Sequence, residues 1–199
     1  MKSVLISIQP YWAFLIIAKK MGWDIDHEKT VEVRKNFPKD LSWDKKSIIY
    51  CSKDKCSFNR IPKNYQPLME KFLGKVIGKF VCDKKYQYST TQNCNGVDIT
   101  DEEMTKASCL TKEDIEAYEF SAEAKENCIY KIGVYGWHIF NLVIYDKPRE
   151  LSEFKKINRE CWYADLGLAK RDCPECKHAG CFVQRPPQSW CYVESEDTE

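Results

Sequence analysis

The segment His27-Glu28-Lys29-Thr30-Val31-Glu32-Val33-Arg34-Lys35 sets one carboxylate, Glu32, between the cations Lys29 and Arg34. In an extended chain Glu32 and Arg34 share one face, and Val31 and Val33 the other. Three chemistries use such a set. Arg34 can present its donor fork to a phosphate or a base edge. Lys29 can serve as nucleophile or, with Glu32, as an acid–base pair. Or the charges can close a cross-strand ion pair that serves no ligand.

The cysteines form the second set. Of eleven, Cys51, Cys56, Cys82, Cys94, Cys109 and Cys128 are dispersed, whereas Cys161, Cys173, Cys176, Cys181 and Cys191 fall within the last 39 residues. The odd count, the absence of a secretory signal and a length sufficient for a core argue against a disulfide scaffold. Dispersed free thiols serve as small buried hydrophobes. Cys173-x-x-Cys176, with Cys181 following, has the spacing of a zinc knuckle. Cys191 is the expected fourth ligand, with Cys161 as the alternative; His178 sits too close to the knuckle's own turn. Reduced buried thiols, or a redox pair Cys173/Cys176, are the competing readings. The stretch is poor in aliphatic residues, so a structural zinc would explain how it holds a shape.

Composition bounds what these sets can do. The chain has 199 residues, of which 43% are hydrophobic, enough for one domain with a core, or for one domain plus an appendage. Thirty-one Lys and Arg against thirty Asp and Glu leave +1, which excludes a basic coat for long nucleic acid while permitting a local patch. The longest apolar stretch, Trp12 to Ala18, is far short of the roughly 20 residues of a membrane span. Val4 to Ile8 is cut off by Gln9-Pro10 and makes a poor signal peptide. The expectation is a cytoplasmic protein with no membrane partner.

The elements that must position these residues are read from periodicity. Val4–Ile8 is a buried strand; Tyr11–Met21 is a helix apolar nearly all round and stopped at Gly22. Lys29–Lys35 alternates as a strand with one buried face and ends at Phe37-Pro38. Ser47–Cys51 is a strand, Tyr65–Leu73 a helix, and Lys75–Tyr88 one long curved barrel strand. Ser89–Asp98 is a polar loop. Helices follow at Asp101–Lys106 and Thr111–Phe120, the second capped by Thr111 with Asp114. Ile129–Tyr145 holds two strands with Gly133 and Gly136 between them, closed by Lys147-Pro148. The pattern is α+β and barrel-like rather than doubly wound. Residues 1–150 form the main domain, 151–193 a small Cys-rich extension, and 194–199, with four acids, a solvated tail.

Taken in order, Val4–Ile8 leading to a helix, Lys-Thr-Val-Glu-Val-Arg-Lys at 29–35, Ile48-Ile49-Tyr50, Gly74-Lys75-Val76-Ile77-Gly78 and Tyr135-Gly136-Trp137-His138-Ile139 resemble the ASCH domain, a PUA-like mixed β-barrel with surrounding short helices. The resemblance spans about residues 1–150. The Cys-rich extension and the ending Arg-Pro-Pro-Gln-Ser-Trp-Cys-Tyr are similar to those of phage and prophage members.

This resemblance implies binding of RNA or a nucleotide in a cleft lined by the Lys/Glu/Arg strand, with Arg34, Lys35, Tyr50, Ser52, Trp137 and His138 near the ligand. Trp137 is either a stacking surface for a base or a core residue. One branch of the family, an acetylcytidine amidohydrolase, uses a lysine, a threonine and a glutamate. Lys29 matches the lysine, but the threonine position holds Glu32, which lacks the hydroxyl nucleophile, and no residue aligns with the glutamate. A hydrolase of a modified nucleoside, with Lys29 and Glu32 catalytic, or a ribonuclease is therefore the competing class. A phage-encoded module that binds a protein partner is the third.

Overall fold

The computed structural model describes residues 2–39, 41, 46–88, 99–119, 134–157 and 181–195. Its elements, in chain order, are β1 (Lys2–Ile8), α1 (Pro10–Ile17), β2 (Val31–Arg34), β3 (Lys46–Cys51), α2 (Lys55–Phe58), α3 (Gln66–Glu70), β4 (Lys75–Val81), β5 (Lys85–Tyr88), α4 (Asp101–Ser108), α5 (Lys112–Glu119), β6 (Val134–His138), β7 (Phe140–Arg149) and β8 (Trp190–Glu194). The α+β reading holds. Two compact units emerge: Met1–Phe14, Lys45–Phe80 and Leu142–Glu199 form the first, Leu15–Asp44 and Val81–Asn141 the second.

The first unit carries a five-stranded sheet in the order β7-β4-β3-β1-β8. β1 runs parallel to β3, with Leu5 beside Ile48, and antiparallel to β8, with Leu5 opposite Cys191. Covered on both faces, β1 is buried without a break from Ser3 to Ile6 and again at Ile8, which is why Val4-Leu5-Ile6 shows as a run rather than an alternation. The core joins Leu5, Ile48, Tyr50 and Val76 to Leu151, Phe154, Val183 and Val193, so residues from both sides of position 150 build it together. Gly78 lies where a side chain would run into the Val143 carbonyl oxygen.

The second unit carries the antiparallel sheet β2-β6-β5. Opposite pairs are Glu32 and Trp137, Arg34 and Tyr135, then Lys85 and Trp137, Gln87 and Tyr135. One face therefore bears Glu32, Arg34, Trp137, Tyr135, Lys85 and Gln87, and the other Val31, Val33 and Gly136. On that second face α4 packs on β2 and α5 on β6, and a side chain at Gly136 would crowd Val31, Met104 and Tyr86. Both helices start with reciprocal caps, Thr100 with Glu103 and Thr111 with Asp114.

Several expectations change. Among the described residues there are two separate sheets and no closed barrel. The single strand expected over Lys75–Tyr88 is two, because the chain leaves one sheet at Cys82–Lys84 and enters the other. Gly136 lies inside β6, and Pro148 inside β7, an edge strand where its missing N–H is tolerated. The first helix ends its regular turns at Ile17, yet Gly22 is the stop. With φ +72°, it lets Trp23 N–H reach the Ala18 carbonyl and its own N–H reach Lys19, the paired bonds of a glycine C-terminal motif. The polar loop at 89–98 and the start of the strand pair at 129–133 lie outside the described residues. No described helix is long and apolar enough to cross a membrane.

Candidate functional site

The Lys29 main chain is pinned on both sides of its side chain: its N–H donates to Leu15, and Thr30 N–H to Ala107. Its side chain is 2% exposed. Nζ donates to the Ser108 carbonyl at 2.8 Å and lies 3.4 Å from Glu32 Oε2, long for a hydrogen bond but close for an ion pair. Ser108 is the last residue of α4, so its carbonyl is one that the helix itself leaves without a partner, at the negative end of the helix dipole. Lys29 thus caps α4 and anchors β2 at once.

Glu32 holds the second cation. Arg34 Nε lies 2.9 Å from Glu32 Oε1. Exposure rises along the set, from 2% at Lys29 through 8% at Glu32 to 15% at Arg34, and Lys35 is exposed. Burial pushes the Lys29 ammonium below its ordinary pKa, and Glu32 opposes that shift without cancelling it. Cys109, next along from Ser108 and in the left-handed region at φ 56°, is close enough to Lys29 for each to influence the other's titration, although burial dominates and raises the thiol.

Beside Glu32, Trp137 is fully buried and its Nε1 has no hydrogen-bond partner among the described residues. Phe37 packs edge-on against it at 5.2 Å between ring centroids. A base-stacking role for the Trp137 ring therefore gives way to core packing, with only its N–H left as a polar handle. Lys85 Nζ sits 4.7 Å from the Tyr135 ring centroid and 5.1 Å from that of Phe37, both partly buried. The chemistry of this sheet face is a carboxylate between two cations, a third cation over aromatic rings, and an unpartnered indole donor.

The other expected residues are distributed differently. His138 is on β6 with Nδ1 2.5 Å from Asp83 Oδ1, an oriented imidazole opposite Val31 rather than Glu32. Tyr50 and Ser52 belong to the first unit, where Tyr50 is a core residue and Ser52 Oγ is buried without a hydrogen-bond partner among the described residues. Cys161, Cys173, Cys176 and His178 lie outside the described residues. Cys181 is buried and Cys191, on β8, packs against the first unit's core. Among the described residues no group of three or more His, Cys, Asp or Glu stands in metal-binding proximity. Reading the sequence missed Ser108, Lys85, Tyr135, Phe37 and Asp83, which reach the set through cross-strand register and loop packing.

The chain is similar over 98% of its length to ASCH from Zymomonas mobilis, covering 89% of that chain at 15% identity and a TM-score of 0.43. A Tyr-to-Phe variant of the same protein aligns at 13% identity and TM-score 0.43, covering 98% and 93% of the two chains. Its Ser-to-Ala variant aligns at 14% and 0.42, covering 98% and 89%. No family model and no curated protein matches the chain.

Proposed function

We propose that this chain is an ASCH-type, PUA-like protein that binds RNA or a nucleotide through the sheet face carrying Glu32, Arg34, Lys85 and Tyr135. The ordered motifs of residues 1–150 support the family reading. The observation that carries the ligand reading is the pairing of Glu32, held between Lys29 and Arg34, with the buried, unpartnered Trp137 N–H directly opposite. A buried donor without a partner costs about 1–3 kcal/mol, so a polar ligand that reaches it recovers that loss. An acceptor and a donor on neighbouring strands suit a base edge, while Arg34 and Lys35, further out, suit a phosphate.

A hydrolase acting on a modified nucleoside is the second reading, favoured by the lowered pKa of Lys29, which brings a free amine nearer to neutral pH. The third reading, a phage-type protein-interaction module, draws support only from the phage-like ending of the sequence. Cys173, Cys176 and Cys181, with Cys191 or Cys161, are proposed to hold a structural zinc, and a cytoplasmic location fits a chain of reduced thiols.

Mass spectrometry of nucleosides and nucleotides offered to the purified protein separates these readings. Retention unchanged in mass supports binding; conversion dependent on Lys29 supports the hydrolase. With Arg34→Ala, ligand retention should fall at least tenfold. Full retention by that variant removes Arg34 from the site.

A further inference from the structure

Another cation is held in a different way, in the first unit. Tyr11 and Trp12, in the first turn of α1, are half-buried and meet edge to face at 5.0 Å between centroids. Arg60 lies over both, its Cζ 4.1 Å from the Tyr11 centroid and 4.8 Å from that of Trp12. It is exposed, and no described carboxylate pairs with it. Rings therefore orient this guanidinium where a counter-charge ordinarily would. A guanidinium held near ring centroids in this way keeps N–H donors directed away from the rings available to an anion.

The chain around Arg60 is fixed from both sides. Asp54 caps α2 through the Ser57 N–H at 2.6 Å, and Ser57 Oγ accepts the Tyr11 N–H at 3.1 Å, tying this loop to α1. Beyond Arg60, Ile61 is buried and its carbonyl accepts Gln66 Nε2 at 2.8 Å. Arg60 is thus presented by a rigid support rather than by a free loop.

Charge is concentrated here as well. Lys53, Lys55, Arg60 and Lys63 are all exposed, and the sole acid between them, Asp54, is engaged as a helix cap. In a chain whose total is only +1, that is a local cationic segment beside two aromatic rings. A lone phosphate needs one or two of these cations. A polyanion can use several cations carried on one short segment, and one that also carries flat rings can use the aromatics.

We infer that Arg60, on its Tyr11–Trp12 support and flanked by Lys53, Lys55 and Lys63, is a binding surface for the phosphate backbone of single-stranded nucleic acid. It is distinct from the Glu32 sheet face and does not depend on the function proposed for that face. Bases of a flexible strand are free to stack on the exposed parts of Tyr11 and Trp12 without sequence preference, whereas a duplex keeps its bases stacked inside.

Fluorescence anisotropy of a labelled twelve-nucleotide oligouridine with the full chain tests this. Arg60→Ala should weaken binding at least tenfold and flatten the slope of log K against log salt by about 0.7 for each phosphate it no longer neutralises. Arg60→Lys keeps the charge but loses the planar, five-donor guanidinium, and should fall between parent and Ala. Lys63→Ala, at an exposed position, should flatten the slope in the same sense. Lys106→Ala, exposed on α4 and part of neither surface, should leave that slope unchanged. The inference is overturned if Arg60→Ala binds as the parent does, if Arg60→Lys equals the parent, or if Arg34→Ala alone removes binding. It is also overturned if polyglutamate or a duplex of equal length competes as well as the oligouridine.

Discussion

Glu32→Gln isolates the energetics of the buried charge set, because the substitution keeps shape and removes only the anion. In the parent the carboxylate lies 3.4 Å from Lys29 Nζ and 2.9 Å from Arg34 Nε, with all three side chains at or below 15% exposure. Breaking a buried pair by removing one partner costs about 3–5 kcal/mol, mostly the charge left behind. With a urea slope of about 2 kcal/mol per M, the unfolding midpoint should fall by roughly 2 M at pH 7.

The pH dependence follows from the lysine. Its folded pKa is already lowered by burial, and loss of Glu32 removes the largest influence raising it, so the variant's value drops further. Between that value and the unfolded one, near 10.4, the unfolded state carries more protons, and the variant gains stability as pH rises. The deficit relative to the parent is therefore full below the variant's folded pKa and shrinks as pH climbs toward the parent's. A cycle with Lys29→Met and the double variant should show a coupling of about 0.5–3 kcal/mol. A Glu32→Gln protein within about 0.5 kcal/mol of the parent at pH 7, or a deficit that grows between pH 7 and 10, refutes this account of the set.

Three further outcomes are expected. Burial holds the Cys51 and Cys82 thiols up at about 12, so iodoacetamide at pH 8 should label exposed Cys56 in the folded protein and reach those two only on unfolding; equal labelling rates contradict the packing described. Gly78→Ala should destabilise by about 1–3 kcal/mol, measured by urea titration, since the added methyl meets backbone rather than a movable side chain. Protein purified without added metal should contain close to one zinc per chain, and chelation should make the stretch 161–180 selectively sensitive to protease, since Val183 and β8 are held by the first unit's core; zinc far below one equivalent with titratable thiols removes the metal.

What could be read from the sequence was what depends on neighbours in the chain. Alternation over Lys29–Lys35 placed Glu32 and Arg34 together and opposite Val31 and Val33, as the register with Trp137 and Tyr135 shows. Gly22 and the Thr111 cap were legible for the same reason: each acts on backbone within a turn. The assumption of one buried face was wrong at Glu32, because burial of a carboxylate depends on Lys29 and on the end of α4, 76 residues further on. Trp137 could be read from the sequence as a stacking surface or as a core residue, and what distinguishes the two is its burial against Phe37, a contact no spacing rule supplies. β8 was missed since its five residues follow two prolines inside a cysteine-rich stretch, although Trp190, Tyr192 and Val193 favour a strand, and its pairing partner β1 lies at the far end of the sequence.

That last pairing has a consequence for how the chain is made. Ser3 and Ser195 hydroxyls meet at 3.2 Å across a sequence separation of 192 residues, where β1 lies beside β8. β3 can pair with β1 early, but the opposite side of β1 has to wait until β8 leaves the ribosome. At roughly 5–20 residues per second that interval is on the order of 10–40 s. Throughout it an apolar strand offers an open hydrogen-bonding edge, the kind of template on which nascent chains associate with one another. Yield of folded protein should therefore depend on translation rate and on chaperone supply more than the finished protein's stability suggests, and polysome density should set how much of it aggregates.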